Sequence, residues 1–287
     1  MGMQVNTNIS ALNSYRNLSN TQNDLAKSLE KLSSGLRINH AADDAAGLAI
    51  SQGLQSQVGG LTVASRNAQD GISVIQTAEG SLSEVQTILQ RVRDLAVQAG
   101  NDSNNGASRA AIKTEVTALG AELTRIGDSA NFNGTDLLGG TSGTAATFTF
   151  QVGAGSSAAD QISVSLPGLN TTTTGIATVV NGLAASGFAS ASAVNGTTGT
   201  IATLDTQITA VSTARANLGA QQNRFESVIR NLSVSTENLT AAKSRITDTD
   251  MAAEMVKYTR SNILAQAGTA MLAQANQGNQ GVLQLLR

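Results

Sequence analysis

Two long stretches place an apolar residue at every seventh position, and that periodicity leaves few folds open. In the first, Leu54, Leu61, Ala68, Ile75, Leu82, Leu89 and Ala96 hold strict register. Ala64, Ala78, Val85, Val92 and Ala99 flank them, interrupted only by Gly71. In the second, Leu204, Val211, Leu218, Phe225, Leu232, Leu239 and Ile246 do the same, with Ala214, Val228 and Ala242 alongside. Such spacing draws one apolar stripe along a helix, and only another helix can cover a stripe so narrow and long. A helix over 44–99 would be about 84 Å long at about 1.5 Å per residue. The expected fold class is therefore mainly α, a long antiparallel helical coiled-coil bundle.

Shorter segments complete the pattern. Leu18, Leu25 and Leu32 repeat within 11–36, with Tyr15, Leu29 and Leu36 in a companion position and Gln22 as its polar exception. Ile112, Val116, Leu119, Leu123 and Ile126 alternate steps of four and three, an amphipathic helix. The second long seam pauses at "TDTD", 247–250, and resumes as an amphipathic helix toward Arg287. Pro167 is the single proline, so nothing breaks the helices on either side of it. Between the helical arms, 139–200 is rich in Gly, Ser, Thr and Ala, and Asp160 is its only charge. "TFTFQVG" and "QISVSL" alternate apolar and polar residues around "AGSSAAD" and predict a β-hairpin. "NTTTTG" and "NGTTGT" read as turn-rich surface chain. Out along helices, through a small β-rich insertion and back along helices, the chain brings its two ends together.

Those ends are unusual. Residues 1–15 and 261–286 carry no charged side chain. Exposed helices normally carry charges, so apolar stripes set among Gln and Asn predict surfaces that assembly buries. They are too polar for a bilayer interior, and no stretch approaches the roughly 18 continuous apolar residues of a membrane span. Eighteen basic residues nearly balance twenty acidic ones, so no basic patch asks for nucleic acid. The absence of cysteine excludes disulfides and thiolate chemistry.

"GLRINHAADDAAG", 35–47, holds the only histidine, His40, with Arg37, Asn39, Asp43 and Asp44 around it. A metal site wants further strong ligands, and there is no second histidine. The residues read better as punctuation between helices: Asp43 stands where an N-cap would, with Asp44 beside the positive helix end. "TDTDMAAEM" repeats the arrangement. In "QRVRDLAVQ", Arg91 and Arg93 adjoin Asp94 on what reads as a solvated helix face. No nucleophile–base arrangement or phosphate-cradling glycine motif is present, so no enzyme and no cofactor are expected.

Several stretches resemble bacterial flagellins: "NTNISALNSYRNL", "LEKLSSGLRIN", "DDAAGLAIS", "RNAQDGISVIQTAEGSL", "LQRVRDLAVQAGN", "NFNGTDLL", "ILAQAGTAMLAQANQ" and "VLQLLR". The likeness covers nearly all of 1–138 and 201–287, and 139–200 carries no family signature. It implies a subunit exported through the flagellar type III apparatus with a chaperone, polymerising beneath a cap, next to hook-junction proteins, into an extracellular propeller filament. It further implies three zones. Residues 1–43 with 246–287 would form paired inner-tube helices and a spoke, in which Arg37, Asn39, Asp43 and Asp44 make a joint. Residues 44–138 with 201–245 would form the outer-tube bundle, and 139–200 a small β-rich variable surface segment. By the same resemblance Arg91, Leu95 and Glu115 would contact the animal innate-immune flagellin receptor. Leu283, Leu285 and Leu286 would form the tail that the export chaperone engages and that packs between subunits, although Asn279 stands where family tails often carry proline. The nearest rival is a hook–filament junction protein, against which "QRVRDLAVQ" and "LAQANQ" speak. A helical signalling scaffold would explain the heptads but neither the charge-free ends nor the β insertion.

Overall fold

A computed structural model describes residues 8–139, 147–166, 168, 175–195 and 199–285, the side chains of 191, 192 and 278–285 excepted. In chain order the elements are α1 (Ile9–Ser34), α2 (Ala45–Ala99), α3 (Gly106–Ser129), β1 (Asn131–Phe132), β2 (Thr135–Asp136), β3 (Thr147–Gln151), β4 (Gln161–Ser165), α4 (Ile176–Ser186), α5 (Ala191–Asn195), α6 (Thr200–Thr247) and α7 (Met251–Leu285). Packing divides the chain into two units, Met1–Val58 with Glu237–Arg287, and Gly59–Thr236.

The Gly59–Thr236 unit holds a continuous apolar core. Ile75, Leu82 and Leu89 of α2 and Leu204, Leu218 and Phe225 of α6 are fully buried, as the two heptads require. Val116 and Leu123 of α3 join them. Asn105 caps α3, its side chain accepting from the Ser108 amide at 2.8 Å. The interruption at Gly71 has a cause: the Phe225 ring lies where a side chain would go, and a Cβ on Gly71 would meet Phe225 Cζ at 2.9 Å. The predicted hairpin forms as β3 and β4, antiparallel, with Phe150 opposite Ile162. Phe150 meets Phe225 edge to face at 5.5 Å between centroids, and the Gln151 carbonyl accepts from Asn67 of α2. The hairpin is thus anchored to α6 by its apolar face and to α2 by a hydrogen bond to its backbone.

Two features depart from the sequence reading. Residues 131–136 make a second, two-residue hairpin, in which Asn133 and Gly134 have φ of 51° and 77°. Both positive values are what a type I′ turn needs, and Asn-Gly supplies them at little cost. The turn sends Leu137 and Leu138 straight into the core, both 0% exposed. Part of the expected surface chain is instead helical: α4 and the residues after it bury Ile176, Val180, Ala184, Phe188 and Val194. Ile176, Val180 and Ala184 are spaced by four, which aligns them on one face, but their Gly-, Ser- and Thr-rich surroundings mask the signal. Residues 170–174 of "NTTTTG" and 196–198 of "NGTTGT" lie outside the described residues.

The Phe225 contact yields a paired prediction. Gly71→Ala should destabilise the protein by about 1–3 kcal/mol through overpacking. Gly80→Ala, in the same helix with nothing within 4 Å of the new Cβ, should stabilise it by about 0.5–1 kcal/mol. Thermal melting of both variants checks this, and equal shifts in the same direction would refute the role of Phe225.

Candidate assembly surface and helix junction

In the other unit, α1 and α7 pack antiparallel. Asn8 caps α1, its Oδ1 accepting from the Ala11 amide at 2.9 Å, and its Nδ2 donates to the Ala275 carbonyl of α7 at 3.0 Å. At the other end the Ser28 hydroxyl donates to Glu254 Oε1 at 2.7 Å. Leu18, Leu25 and Leu32 line the seam on α1, as their spacing predicts, and are partly buried. Their companions are not the expected ones. Ser14, Thr21 and Ser28 face α7, whereas Tyr15 and Leu29 are 63% and 53% exposed, and Leu36, past the helix end, also faces solvent. The reason lies on α7, whose facing residues include Glu254, Ser261, Gly268 and Ala275, seven apart and mostly small. At Gly268 a Cβ would already lie 3.2 Å from Leu18 Cδ1. Helices this close admit small side chains in one row, and the one buried carboxylate needs a hydroxyl opposite it.

Apart from that leucine seam, many large apolar residues point away from the pair. Leu12, Met255, Val256, Ile263, Leu264 and Met271 are all exposed, Val256 at 68%. Met255, Val256, Ile263 and Leu264, with Thr259 and Arg260, line a shallow depression of about 460 Å³. A second of about 280 Å³ runs across both helices past Leu18, Leu264, Gly268 and Met271. Among the described residues no helix is long and apolar enough to cross a membrane. Contiguous exposed apolar surface of this kind marks an interaction site. The sequence reading located the uncharged ends but not which residues face outward. The seven-residue repeat of small residues from Glu254 is the signal that could have shown it.

The junction residues are tied mainly to backbone. Gly35 ends α1 in the left-handed region at φ 72°, its amide donating to the Lys31 carbonyl. The next residues pair with the chain between α6 and α7: the Arg37 amide donates to the Thr247 carbonyl at 2.6 Å, the Thr249 amide to the Gly35 carbonyl at 3.0 Å, and Leu36 bridges Asp248. The Arg37 guanidinium donates to the Ile246 carbonyl at 2.7 Å and stands 3.9 Å from Asp44. Asn39 donates from Nδ2 to the Ser34 hydroxyl. Asp43 does not cap α2. Its Oδ2 accepts from the amides of Asn39 and His40, closing the loop on itself. Asp44 is the cap, its Oδ1 accepting from the Gly47 amide at 2.9 Å, because the helix begins one residue later than an Asp43 cap would require. Asp250 does the same for α7, accepting from Ala252 and Ala253. His40 Nε2 lies 2.8 Å from Glu30 Oε1, both side chains exposed. Among the described residues no three His, Cys, Asp or Glu side chains converge as a metal site.

In the Gly59–Thr236 unit the Arg91 guanidinium donates to Glu115 Oε1 from Nε at 2.9 Å and from Nη2 at 2.6 Å, joining α2 to α3 on an exposed surface. Leu95, one turn beyond Arg91, is 3% exposed and belongs to the core. Arg93 pairs separately with Asp205 of α6, and that carboxylate holds its pKa above the ordinary value. The side chains of Leu283, Leu285 and Leu286 lie outside the described residues.

Residues 5–144 match the family described as bacterial flagellin N-terminal helical region, and residues 201–286 that described as bacterial flagellin C-terminal helical region. The chain is 49% identical over 306 residues to a flagellin of Bacillus subtilis strain 168, covering 99% of this chain and 100% of that one. It is likewise 49% identical over 285 residues to a flagellin of Halalkalibacterium halodurans, with 99% and 100% covered. A crystal structure of Bacillus cereus flagellin aligns at 28% identity over 62% of this chain and 94% of its own, with a TM-score of 0.46.

Three carboxylates of the α1/α7 unit sit below their ordinary pKa. The His40 amide, then that of Asn39, lowers Asp43, with help from the Lys31 charge. The hydroxyls of Ser244 and Thr247 lower Asp248. At Glu254 burial acts to raise the pKa, but the Ser28 hydroxyl and the Lys257 ammonium together outweigh it. Depressed folded-state values mean that each group's stabilisation is fully present above its ordinary value, 3.8 for Asp43 and Asp248 and 4.5 for Glu254. It is lost as pH falls through the depressed value. The junction should therefore loosen on acidification below about pH 4. In an NMR titration the Asn39 and His40 amides should move together in that acid window, and the movement should vanish in Asp43→Asn. Amides that stay put in the wild type would refute the assignment.

Proposed function

The chain belongs to the bacterial flagellin family and is a structural subunit that polymerises into the flagellar filament, the propeller of motility; from this premise we propose that the outward apolar faces of α1 and α7 are the surfaces through which subunits pack. One observation carries the reading: the two helices join through Leu18, Leu25 and Leu32 beside a row of small and polar residues, and leave Leu12, Val256, Ile263 and Leu264 uncovered. Each such side chain gains about 1.5–3 kcal/mol on full burial, and a neighbouring subunit supplies the cover. The junction-protein and signalling-scaffold readings fall away with the family assignment.

The rest of the proposal follows the resemblance. Residues 1–43 with 246–287 form the inner tube and spoke, 44–138 with 201–245 the outer tube, and 139–200 a variable surface segment. Arg37, Asn39, Asp43 and Asp44 serve as the joint, a role supported by their bonds to the Ile246 carbonyl, Ser34 and nearby amides. The subunit works outside the cell, by packing and not by catalysis. It meets the flagellar cap, the hook-junction proteins, the export chaperone and the type III export apparatus, with Leu283, Leu285 and Leu286 as its tail contacts. Arg91 and Glu115 offer an exposed ion pair to host flagellin receptors, with Leu95 supporting the helix from beneath.

Val256→Asp with Ile263→Asp tests the packing faces. A carboxylate is tolerated on the exposed monomer surface and penalised when assembly buries it. The variant should keep wild-type helicity and melting, yet extend filament seeds at least about tenfold more slowly. Electron micrographs with filaments of normal length would overturn the proposal.

Arg91→Ala tests the receptor surface. The change removes an exposed ion pair, so stability should move by no more than about 0.5 kcal/mol. Receptor-reporter activation by the folded monomer should fall, and full activation would remove Arg91 from the contact set.

A further inference from the structure

The chain contains no cysteine and five methionines, so thioethers are its only sulfur chemistry. Three of the five lie among the described residues: Met251, Met255 and Met271. Methionine is among the residue types most often buried, yet these are 47%, 52% and 62% exposed, and all three stand on α7. Met251 and Met255 are one turn apart and share a face. Met255 lines the depression bounded by Val256, Ile263 and Leu264, and Met271 lines the one that crosses α1 and α7. The accessible sulfur of the described chain is thus concentrated on the surface assigned above to subunit packing.

We propose that α7 is an oxidation-sensitive site: a peroxide converts Met251, Met255 and Met271 of the free subunit to sulfoxides and thereby blocks incorporation, whereas incorporation shields the sulfurs of Met255 and Met271. The inference rests on the packing-face reading. The chemistry is a two-electron oxygen transfer. The thioether sulfur attacks one peroxide oxygen, an S–O bond forms as the O–O bond breaks, and the departing oxygen leaves as water after taking up the transferred proton. Sulfur is oxidised and the peroxide reduced. The product is a polar, chiral group that accepts hydrogen bonds in a patch otherwise lined by aliphatic side chains, so burying it against a second subunit leaves an unsatisfied acceptor. Sulfoxide reductases reverse the change, which makes it a switch on assembly competence and not only damage.

The test uses the full-length protein, as monomer and as filament, with the same dose of hydrogen peroxide. Peptide mass spectrometry reads the added oxygen at each methionine, and seeded elongation reads assembly after the peroxide is removed. Monomers should gain oxygen at all three positions. Filaments should be protected about tenfold or more at Met255 and Met271, and oxidised monomers should elongate seeds about tenfold more slowly. Reductase treatment should restore growth. In a Met251→Leu/Met255→Leu/Met271→Leu variant, which keeps Met1 and Met3, peroxide should not slow elongation below that variant's own untreated rate. Peroxide inhibition that persists in this variant would overturn the proposal, as would normal growth of oxidised wild-type monomers whose methionines filaments protect; in the latter case the packing-face reading stands. Equal oxidation of monomer and filament would instead refute the packing-face reading itself.

Discussion

The space between α1 and α7 admits only small side chains in one of its rows, and much else follows from that limit. Ser14, Thr21 and Ser28 occupy the row on α1, opposite Glu254, Ser261, Gly268 and Ala275 on α7. A larger residue at Gly268 would press on Leu18. Close helices have less perimeter to share, so Leu12, Tyr15, Val256 and Ile263 stay outside the pair. In an ordinary domain that would be poor economy, because uncovered aliphatic surface favours association. In a subunit that polymerises, the same surface is the one proposed above for packing against neighbouring subunits.

The junction answers a different physical demand. Four helix ends come close to one another there, and each end carries backbone groups that the helix itself cannot satisfy. Asp44 and Asp250 accept from the first amides of α2 and α7. Gly35 closes α1, and a short antiparallel bridge joins 35–37 to 247–249. Gly47 is part of the same close packing, since a Cβ there would meet Asp44 and Ile38. The contact between His40 and Glu30 is exposed and peripheral to these bonds. The cluster that resembles a catalytic site by composition is thus spent on closing backbone.

In the Gly59–Thr236 unit the core is mostly aliphatic, and the contact between Phe225 and Phe150 organises it. Phe225 fills the notch left by Gly71 and meets Phe150 of the hairpin. The helical seam and the β insertion are therefore one packing problem in this unit. An aromatic in a heptad position and a glycine in the facing stripe are complementary, and neither makes sense without the other.

The sequence by itself determined the long helices, because heptad spacing is a local property that survives in any packing. The limits of α2 and α6, the pause at 247–250 and the β3–β4 hairpin were all legible, as was the lack of charge at both ends. Helix α4 was hidden by its Gly- and Ser-rich neighbours. Asp44, and not Asp43, is the cap, because a start one residue later is invisible to composition. The outward direction of Tyr15 and Leu29 was decided only by tertiary structure. Periodicity states which residues share a face, whereas the width of the space between two helices states which of two neighbouring faces turns inward. That width is set by the small residues of α7, more than two hundred positions away in the chain.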